Sequence, residues 1–313
     1  MRIAFVMDPM ARIDVEADTT FAFMLTAHAR GHEVYYADAR DLSARGNVAL
    51  CIVHNAQVRR NQGNHYTLGP SEVVELHALD CVFMRKDPPF DIGYLHAVHI
   101  LELAEELGAL VVNKPSGLRA ANEKLYSLHF PDVIPDTLVT SSKADIKTFV
   151  REFGGKCIIK PVDGHGGEAV FLLDVDDRNV NALIEIMTDH ESNRVVCQRY
   201  LPQARDGDKR ILLLDGEPLG AILRVPRADE HRGNIHVGGT VERAALTERD
   251  HEICEAVGPR LRADGLWFVG LDVIGDYLTE VNVTSPTGIQ EMSRLDAVDG
   301  AGRVIEWVEG RRA

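Results

Sequence analysis

The chain of 313 residues is longer than the roughly 100 to 150 residues of an ordinary single core, so it predicts a globular protein of two or more lobes. Its net charge of -14 argues against a protein that coats nucleic acid or an anionic membrane, since both prefer basic surfaces. A small anionic ligand would need a local cluster of basic side chains or a metal ion.

The cysteines predict reduced core residues of a cytoplasmic protein. The five are Cys51, Cys81, Cys157, Cys197 and Cys254; no C-x-x-C pair or metal-binding spacing occurs, and four of them lie in apolar runs. The N-terminal "MRIAFVMDPM" has too short an apolar run for a signal peptide. No segment approaches the ~18 apolar residues of a membrane span. We therefore expect a soluble protein without a membrane partner.

The first third alternates strand-like and helical segments. "RIAFVM" and "HEVYYAD" predict strands around a helix at 18–30 that ends at Gly31. "LDCVFMRKDPP" and "ALVVNKP" repeat this pattern around a helix from Tyr94 to Leu107, before Gly108. This β-α-β pattern predicts a parallel sheet covered by helices. The stretch 43–77 is too irregular to assign.

The pattern changes after about residue 123. Ser142, with Asp145 three residues later, resembles a capping box that begins a helix ending at Phe153, before Gly154-Gly155. Two strands, around Ile158 and Val170, then flank a glycine-rich turn. The remainder predicts mostly strands, with one clear helix that runs from Glu248 to Ala263 between Thr247 and Gly265.

The glycine-rich turn "GHGGEA" at 164–169 fits the dinucleotide pattern G-x-G-x-x-A only superficially. That pattern requires a helix after it, whereas the strand-like "AVFLLD" follows here. A hairpin loop can still hold phosphate with backbone N–H groups, and an ordinary turn is the alternative. Lys160, at the end of "IIKP", is either an edge residue that reaches solvent or an ammonium group directed at an anion.

The segment "WFVGLDVIGDYLTEVNV" predicts two strands joined at Gly275-Asp276. A two-residue loop would place Asp272 opposite Thr279, whereas a three-residue loop through Tyr277 would pair it with Glu280; we expect the three-residue loop. Asp272, Glu280 and Asn282 would then share one face as oxygen donors for Mg²⁺ that also contacts nucleotide phosphates. The alternative is that these polar side chains face solvent.

Several motifs occur in the order found in the ATP-grasp superfamily. They are "NEKL" with Lys124, "IIKP" with the glycine loop, "RYLP", "DGDKRIL" and "DVIGDYLTEVNVTSPTGI". "FVMDP", "MRKDPPFD" and "RGNIHVGG" make the chain similar to bacterial glutathione synthetases over residues 3 to about 292. The resemblance implies an α/β fold with a Rossmann-like parallel-sheet lobe at 1–122, a central ATP-grasp lobe at 123–197 and a C-terminal ATP-grasp lobe at 198–313. ATP would lie between two antiparallel sheets.

The resemblance also implies a role for each matching residue. The ATP-binding residues would be Lys124, Lys160, Gly164, Gly166, Gly167, Gln198, Arg199, Tyr200, Leu201, Asp208 and Arg210. Asp272, Glu280 and Asn282 would hold Mg²⁺ or Mn²⁺, with two ions accompanying ATP. Lys160, Arg210 and Arg232 would act in catalysis. The substrate-binding residues would be Arg85, Arg224, Arg232, Asn234, Ser285, Pro286 and Thr287, the arginines because guanidinium binds carboxylates bidentately.

The implied reaction joins γ-glutamylcysteine to glycine at the expense of ATP, giving glutathione, ADP and phosphate through an acyl phosphate. Residues 225–240 would form a lid over this intermediate, with a plain surface loop as the alternative. Ala228-Asp229 stands where related lids commonly have glycines. The resemblance implies a homotetramer with small-molecule substrates. Two alternatives are another ATP-grasp carboxylate–amine ligase and a nucleotide-binding regulatory protein without turnover.

Overall fold

The computed structural model describes residues 1–164, 166–226 and 239–312, and these residues form three β-sheets with helices packed against them. Most of the predicted lid lies at 227–238, outside the described residues. The predictions for Arg232 and Asn234 fall in the same gap.

The N-terminal sheet has the strand order β3-β4-β2-β1-β6-β7, with β5 paired to β4. Its strands are β1 (Arg2–Met7), β2 (Glu33–Asp38), β3 (Leu42–Arg45), β4 (Val48–Val58), β5 (Tyr66–Glu75), β6 (Cys81–Arg85) and β7 (Leu110–Val112). Strands β2, β1, β6 and β7 are parallel, which confirms the predicted β-α-β lobe. Its helices are α1 (Thr19–Ala29), α2 (Ile92–Glu106) and α3 (Pro115–Ala120).

The stretch that the sequence left unassigned is the antiparallel hairpin of β4 and β5. Nearly all of β5 is exposed or only partly buried, so its side chains carry no clear apolar alternation. The spacing of apolar residues therefore could not predict strands in this stretch.

The central sheet has the order β10-β9-β11-β8, and all of its strand pairs are antiparallel. The strands are β8 (Thr137–Thr140), β9 (Lys156–Pro161), β10 (Phe171–Asp174) and β11 (Val195–Arg199), with helices α4 (Lys143–Glu152) and α5 (Val180–Met187). The Ser142 side chain accepts a hydrogen bond from the Asp145 backbone N–H, which confirms the predicted start of α4.

The third sheet has the antiparallel order β14-β13-β12-β15-β16. The strands are β12 (Asp208–Leu214), β13 (Glu217–Val225), β14 (Thr240–Arg243), β15 (Phe268–Ile274) and β16 (Tyr277–Asn282). Its helices are α6 (Glu248–Asp264), α7 (Ile289–Asp296) and α8 (Gly300–Arg312). As predicted, α6 begins at a Thr247 capping box and ends at Gly265 in the left-handed conformation.

Four helices were not predicted: α3, α5, α7 and α8. The sequence does contain a helical pattern for α8, because apolar residues recur at helical spacing at Ala301, Val304, Ile305 and Val308. All four are buried in the structure. Three glycines in the same helix weaken its local propensity, so packing against the rest of the fold determines it.

The apolar cores link the first sheet to the third and leave the second separate. One core joins residues such as Val82 and Val98 to Val269 and Val281, and another joins Phe23 and others to Phe268. The central sheet has its own core, formed by Ile146, Ile159, Ile184 and neighbouring residues. The cleft between the second and third sheets therefore separates two independently packed units.

Candidate active site

A cleft between the second and third sheets contains most of the predicted nucleotide-binding residues. It is lined by Lys124, Lys160, Gly164, Gly166, Gly167, Gln198, Arg199, Tyr200, Leu201, Asp208, Asp272 and Glu280, among others. These residues come from two sheets and the loops between them, so only the tertiary structure brings them together.

Two buried lysines meet one carboxylate in this cleft. Glu280 Oε1 lies 3.3 Å from Lys160 Nζ and 3.6 Å from Lys124 Nζ. Burial raises the pKa of Glu280, but the two ammonium groups outweigh this effect and hold the pKa below its ordinary value. Burial lowers the pKa of Lys160 against the attraction of Glu280. The Lys160 side chain is only 7% exposed, so it lies within the cleft beside Glu280 and does not reach bulk solvent.

Two arginines converge on the second carboxylate. Arg210 donates to both oxygens of Asp272 at 2.5 and 3.0 Å, and Arg224 lies 3.0 Å from the same side chain. Arg224 also pairs with Asp208 at 2.5 Å. Burial raises the pKa of Asp208 to about 7 against the attraction of Arg224, and the arginines outweigh burial at Asp272 and lower its pKa. The two arginines and the two carboxylates thus form one buried cluster of ion pairs.

The hairpin pairs Asp272 with Glu280 as predicted, but by a different route. The structure has a two-residue loop, with Ile274 opposite Tyr277, so the expectation of a three-residue loop was wrong. A β-bulge shifts the register between Asp272 and Val273 and inserts Thr279, whose hydroxyl donates to the Asp272 carbonyl at 3.0 Å. The bulge restores the pairing that a regular two-residue hairpin would have lost.

The three predicted metal ligands provide a suitable set of oxygen atoms. Asn282 lies opposite Gly270, so its side chain shares a face with Asp272 and Glu280. Its Nδ2 donates to the Gly270 carbonyl at 3.4 Å, and no described residue donates to its Oδ1. Within the described ranges, no group of three His, Cys, Asp or Glu side chains could hold an ion. Two carboxylates and an amide suit a hard cation whose remaining positions are filled by phosphate oxygens and water.

The glycine loop has the backbone geometry of a close-approach turn. Gly166 and Gly167 have φ values of +60° and +81°, which favour glycine. A Cβ on Gly164 would lie 2.6 Å from Pro161 Cγ, and the Gly164 carbonyl accepts a hydrogen bond from Lys124 Nζ. Strand β10 follows the loop, so the loop differs from a dinucleotide fingerprint as the sequence indicated.

The predicted adenine hinge lies at the end of β11. Gln198 is buried and donates from Nε2 to the Thr137 hydroxyl at 3.2 Å, while the Arg199 N–H donates to the Asp136 carbonyl. The Leu201 carbonyl accepts a hydrogen bond from the Ala204 N–H. Among the described residues, no other backbone hydrogen bond of Tyr200 or Leu201 occupies this part of the cleft.

The predicted substrate residues lie beyond the nucleotide cleft. Arg85 is 4% exposed, and it donates to the Thr20 hydroxyl at 3.0 Å and to the Pro286 carbonyl at 2.9 Å. Burial lowers its pKa to about 10. Arg210 also reaches this loop, donating to the Thr287 carbonyl at 3.3 Å. Ser285 is partly buried beside them, so the loop after β16 joins the arginine cluster to the N-terminal lobe.

Two structural residues were missed by sequence reasoning. Glu123 accepts three hydrogen bonds at one oxygen, from the Val283 and Thr284 N–H groups and the Thr284 hydroxyl. Asn113 binds Phe268 N–H, Phe268 O and Val283 O at 2.7 to 2.9 Å. Both lie far from their partners in sequence, so no local pattern could have indicated these contacts.

Family profiles cover nearly the whole chain. Residues 1–119 match the profile described as prokaryotic glutathione synthetase, N-terminal domain, and residues 123–297 match its ATP-grasp domain. The glutathione synthetase of Coxiella burnetii is 47% identical over 100% of this chain and 98% of its own length. That of Synechococcus elongatus is 48% identical over 99% and 98%.

Solved structures share the fold at low identity. D-cycloserine synthetase DcsG matches with a TM-score of 0.71 and 14% identity over 100% of both chains. The ATP-grasp ligase PsnB, in complex with minimal precursor, Mg and ADP, matches with a TM-score of 0.65 and 19% identity over 99% of this chain and 97% of its own. No helix among the described residues is long and apolar enough to cross a membrane. By sequence over almost its full length and by fold, this chain belongs to the prokaryotic glutathione synthetase family of ATP-grasp proteins.

Proposed function

We propose that this chain is an ADP-forming ligase that joins γ-glutamylcysteine to glycine and forms glutathione. The observation that carries this proposal is the match to both family profiles together with the charge cluster in the cleft. Four cationic side chains meet three carboxylates there: Lys124, Lys160, Arg210 and Arg224 with Asp208, Asp272 and Glu280. The excess of positive charge suits a polyphosphate anion.

The reaction requires two displacements. An oxygen of the cysteinyl carboxylate attacks the γ-phosphorus of ATP, the bond to the bridging oxygen breaks, and ADP leaves with the electron pair. The ammonium group of glycine first gives one proton to water, and the lone pair of the neutral amine nitrogen then attacks the acyl carbon of the acyl phosphate. The C–O bond breaks, and phosphate leaves with the electron pair and the second proton of the amine. Both steps depend on positioning and charge neutralisation more than on a protein nucleophile.

Each basic residue has a task in this scheme. Lys124 and Lys160 bind the phosphates of ATP, and Gly164, Gly166 and Gly167 supply backbone N–H groups around them. Arg210 stabilises the charge that develops between the acyl group and the γ-phosphate, because it lies between Asp272 and the Thr287 carbonyl. Residues 198–201 bind adenine through their backbone, and Asp208 lies on the nucleotide side.

The substrate and lid residues complete the proposal. Arg85, Arg224, Ser285, Pro286 and Thr287 bind the dipeptide, with Arg232 and Asn234 from a lid at 225–240. Arg232 also acts in catalysis. The lid excludes water from the acyl phosphate. We keep the lobe boundaries at 122 and 197 as part of the proposal; the first lies between the first two sheets, whereas the second lies within β11 of the central sheet.

A divalent cation is part of the proposal. Asp272, Glu280 and Asn282 would hold Mg²⁺, or Mn²⁺ in its place, and two ions accompany ATP. A metal ion bound by these residues would neutralise part of the negative charge of the triphosphate. We also propose a cytoplasmic homotetramer; the five free, buried cysteines suit a reducing compartment, and light scattering on the purified protein would test the tetramer.

The test is release of phosphate when the protein is incubated with ATP, Mg²⁺, γ-glutamylcysteine and glycine. Turnover should require both amino-acid substrates, and the product should be glutathione by mass. A panel of other carboxylic acids and amines serves as the control. Turnover with a different acid but not with γ-glutamylcysteine would identify another carboxylate–amine ligase, and ATP binding without turnover on any acid would indicate a regulatory protein.

A further inference from the structure

A second, smaller cavity lies beside the nucleotide cleft. It is lined by Pro88 and Phe90 of the N-terminal lobe and by Ala121, Asn122, Glu123, Lys124, Val162, Asp163, Gly164 and Thr284. Lys124 and Gly164 also line the nucleotide cleft, so the two cavities adjoin at the residues proposed to contact phosphate. A volume of about 20 Å³ admits a group the size of one water molecule but no whole amino acid.

Glu123 lines this cavity, and its two carboxylate oxygens differ in their hydrogen-bond partners. Its Oε1 accepts from Val283 N–H at 2.9 Å, Thr284 N–H at 3.0 Å and the Thr284 hydroxyl at 2.9 Å. These bonds fix the carboxylate, while no hydrogen bond from any described residue reaches Oε2. Burial raises the pKa of Glu123 against the hydrogen bonds from Thr284. Glu123 is partly buried, and a cationic partner at Oε2 would stabilise its charge.

The other charged groups of the lining are already engaged. Lys124 Nζ donates to the Gly164 carbonyl and lies 3.6 Å from Glu280. Asp163 accepts from Asn122 Nδ2 at 3.0 Å. Glu123 therefore keeps an acceptor atom without a protein cation, and the cavity suits a small cation rather than an anion.

A second polar group without a partner lies close to Glu123, although it does not line the cavity itself. Tyr94 is 4% exposed, and its hydroxyl has no hydrogen-bond partner among the described residues. Burial, and after it the charge of Glu123, raise the pKa of Tyr94. The Tyr94 ring packs at 4.9 Å against that of Phe90, which forms a wall of the cavity. An unpaired buried hydroxyl and an unpaired carboxylate oxygen thus occur on the same side of the site.

We propose that this cavity binds the primary ammonium group of an amino-acid substrate, with Glu123 Oε2 as its acceptor. The inference rests on the proposed function. The position beside Lys124 and Gly164 favours glycine, whose nitrogen must lie next to the acyl phosphate. The α-ammonium of the γ-glutamyl group has the same chemistry. The KM values for glycine and for γ-glutamylcysteine distinguish which of the two ammonium groups binds here.

The test compares Glu123→Gln with wild type. Glutamine keeps Oε1 as the acceptor for Val283 and Thr284 and removes only the charge, so the fold should survive. The KM for glycine should rise at least tenfold, while the KM values for ATP and γ-glutamylcysteine stay within twofold of wild type. Glu152→Gln, an exposed glutamate at the end of α4, is the matched control and should leave all three unchanged.

Hydroxylamine separates loss of this subsite from loss of the enzyme. It is an uncharged nucleophile at neutral pH, so it traps the acyl phosphate as a hydroxamate without needing an ammonium site. Glu123→Gln should form the hydroxamate at a rate near that of wild type. If wild type forms no dipeptide-dependent hydroxamate, the proposed function is wrong.

Three outcomes decide the inference. A raised KM for glycine supports glycine as the source, whereas a raised KM for γ-glutamylcysteine alone assigns the cavity to the γ-glutamyl ammonium. Unchanged KM values for both substrates in a folded variant overturn the inference. Glu123→Asp, which keeps the charge but shortens the side chain, should recover part of the glycine affinity; affinity no better than that of Glu123→Gln in a protein of normal melting temperature would also count against it.

Discussion

At the scale of single residues, Glu280 combines two interactions that depend on its charge. It pairs with two buried lysines, and it belongs to the proposed metal set. A neutral residue at this position would leave both ammonium groups without their carboxylate in the empty protein.

Glu280→Gln should therefore lower kcat about 100- to 1000-fold, the loss typical when one preorganised charge interaction is removed from a transition state. Steady-state rates at saturating ATP over a range of Mg²⁺ concentrations measure this effect. The melting temperature should also fall without ATP and recover when ATP supplies the missing negative charge. Glu252→Gln, in a surface pair with Arg249, is the control. A rate within threefold of wild type would contradict the metal assignment.

Gly270 permits the close packing of the arginine cluster. A Cβ at this position would lie 3.0 Å from both Arg210 Cδ and Pro286 Cβ. Gly270→Ala should displace Arg210 from Asp272 or move the Pro286 loop, and it should destabilise the fold by about 1 to 3 kcal/mol. Urea unfolding measures the stability, and kcat/KM for the dipeptide should fall in parallel.

The control for this crowding is a glycine with free space around it. Gly310 lies in α8 with nothing within 4 Å of an added Cβ. Gly310→Ala should therefore stabilise the protein slightly, because alanine favours a helix by about 0.5 to 1 kcal/mol. If Gly270→Ala behaves like Gly310→Ala, the contact with Arg210 has no energetic consequence.

At the scale of elements, the junction between β7 and the third sheet depends on one amide. Asn113 follows β7 and satisfies Phe268 N–H, Phe268 O and Val283 O beside β15 and β16. The same two strands carry Asp272 and Glu280, so this side chain connects the N-terminal lobe to the strands of the site.

Asn113→Ala would leave those three backbone groups buried without partners. Each unsatisfied group costs about 1 to 3 kcal/mol, so the free energy of unfolding should fall by at least about 2 kcal/mol. Chemical denaturation measures this loss. Asn181→Ala removes an exposed asparagine of α5 that accepts a hydrogen bond from Lys147, and it should change stability by less than about 0.5 kcal/mol. Equal effects in the two variants would show that the amide does not hold the junction.

At the scale of the whole molecule, a surface cluster fastens the last helix to the first lobe. Glu309 of α8 accepts from Arg30 at 2.5 and 3.0 Å and lies 2.7 Å from His32 Nε2. The hydrogen bonds from Arg30, followed by those from His32, lower the pKa of Glu309 from 4.5 to about 2.

A lowered carboxylate pKa makes the folded state bind the proton less tightly than the unfolded state. The stabilisation is therefore complete above about pH 4.5 and is lost as the pH falls towards 2. Glu309→Gln should have a lower melting temperature than wild type at pH 7, and the difference should shrink at pH 3. Glu306→Gln, an exposed neighbour on α8, should match wild type throughout. A difference that stays constant from pH 7 to pH 3 would mean that the contact is not ionic.

The separation of the cores indicates which part of the molecule can move relative to the rest. The central sheet has a core separate from the two cores that join the first and third sheets. Residues Lys160 and Gly164 belong to this separate unit, whereas Asp272 and Glu280 belong to the fixed one. Closure of the cleft would therefore bring the phosphate-binding residues towards the metal ligands.

The sequence by itself determined the elements whose signals are local. The parallel strands, the caps of α4 and α6 and the glycine loop between two strands all follow from side-chain period, capping residues and backbone freedom over a few residues. The motif order also indicated the fold, and all of the predicted ATP-binding residues except Arg210 line the cleft.

The tertiary structure decided what depends on distant partners. The bulge at Thr279, the bonds of Glu123 to Val283 and Thr284, and the position of Arg85 against Pro286 join residues far apart in the chain or depend on how two strands fit together. Helix α8 forms against the first lobe despite its glycines. In each case the energy comes from packing and hydrogen bonds between separate elements, which no short window of sequence contains.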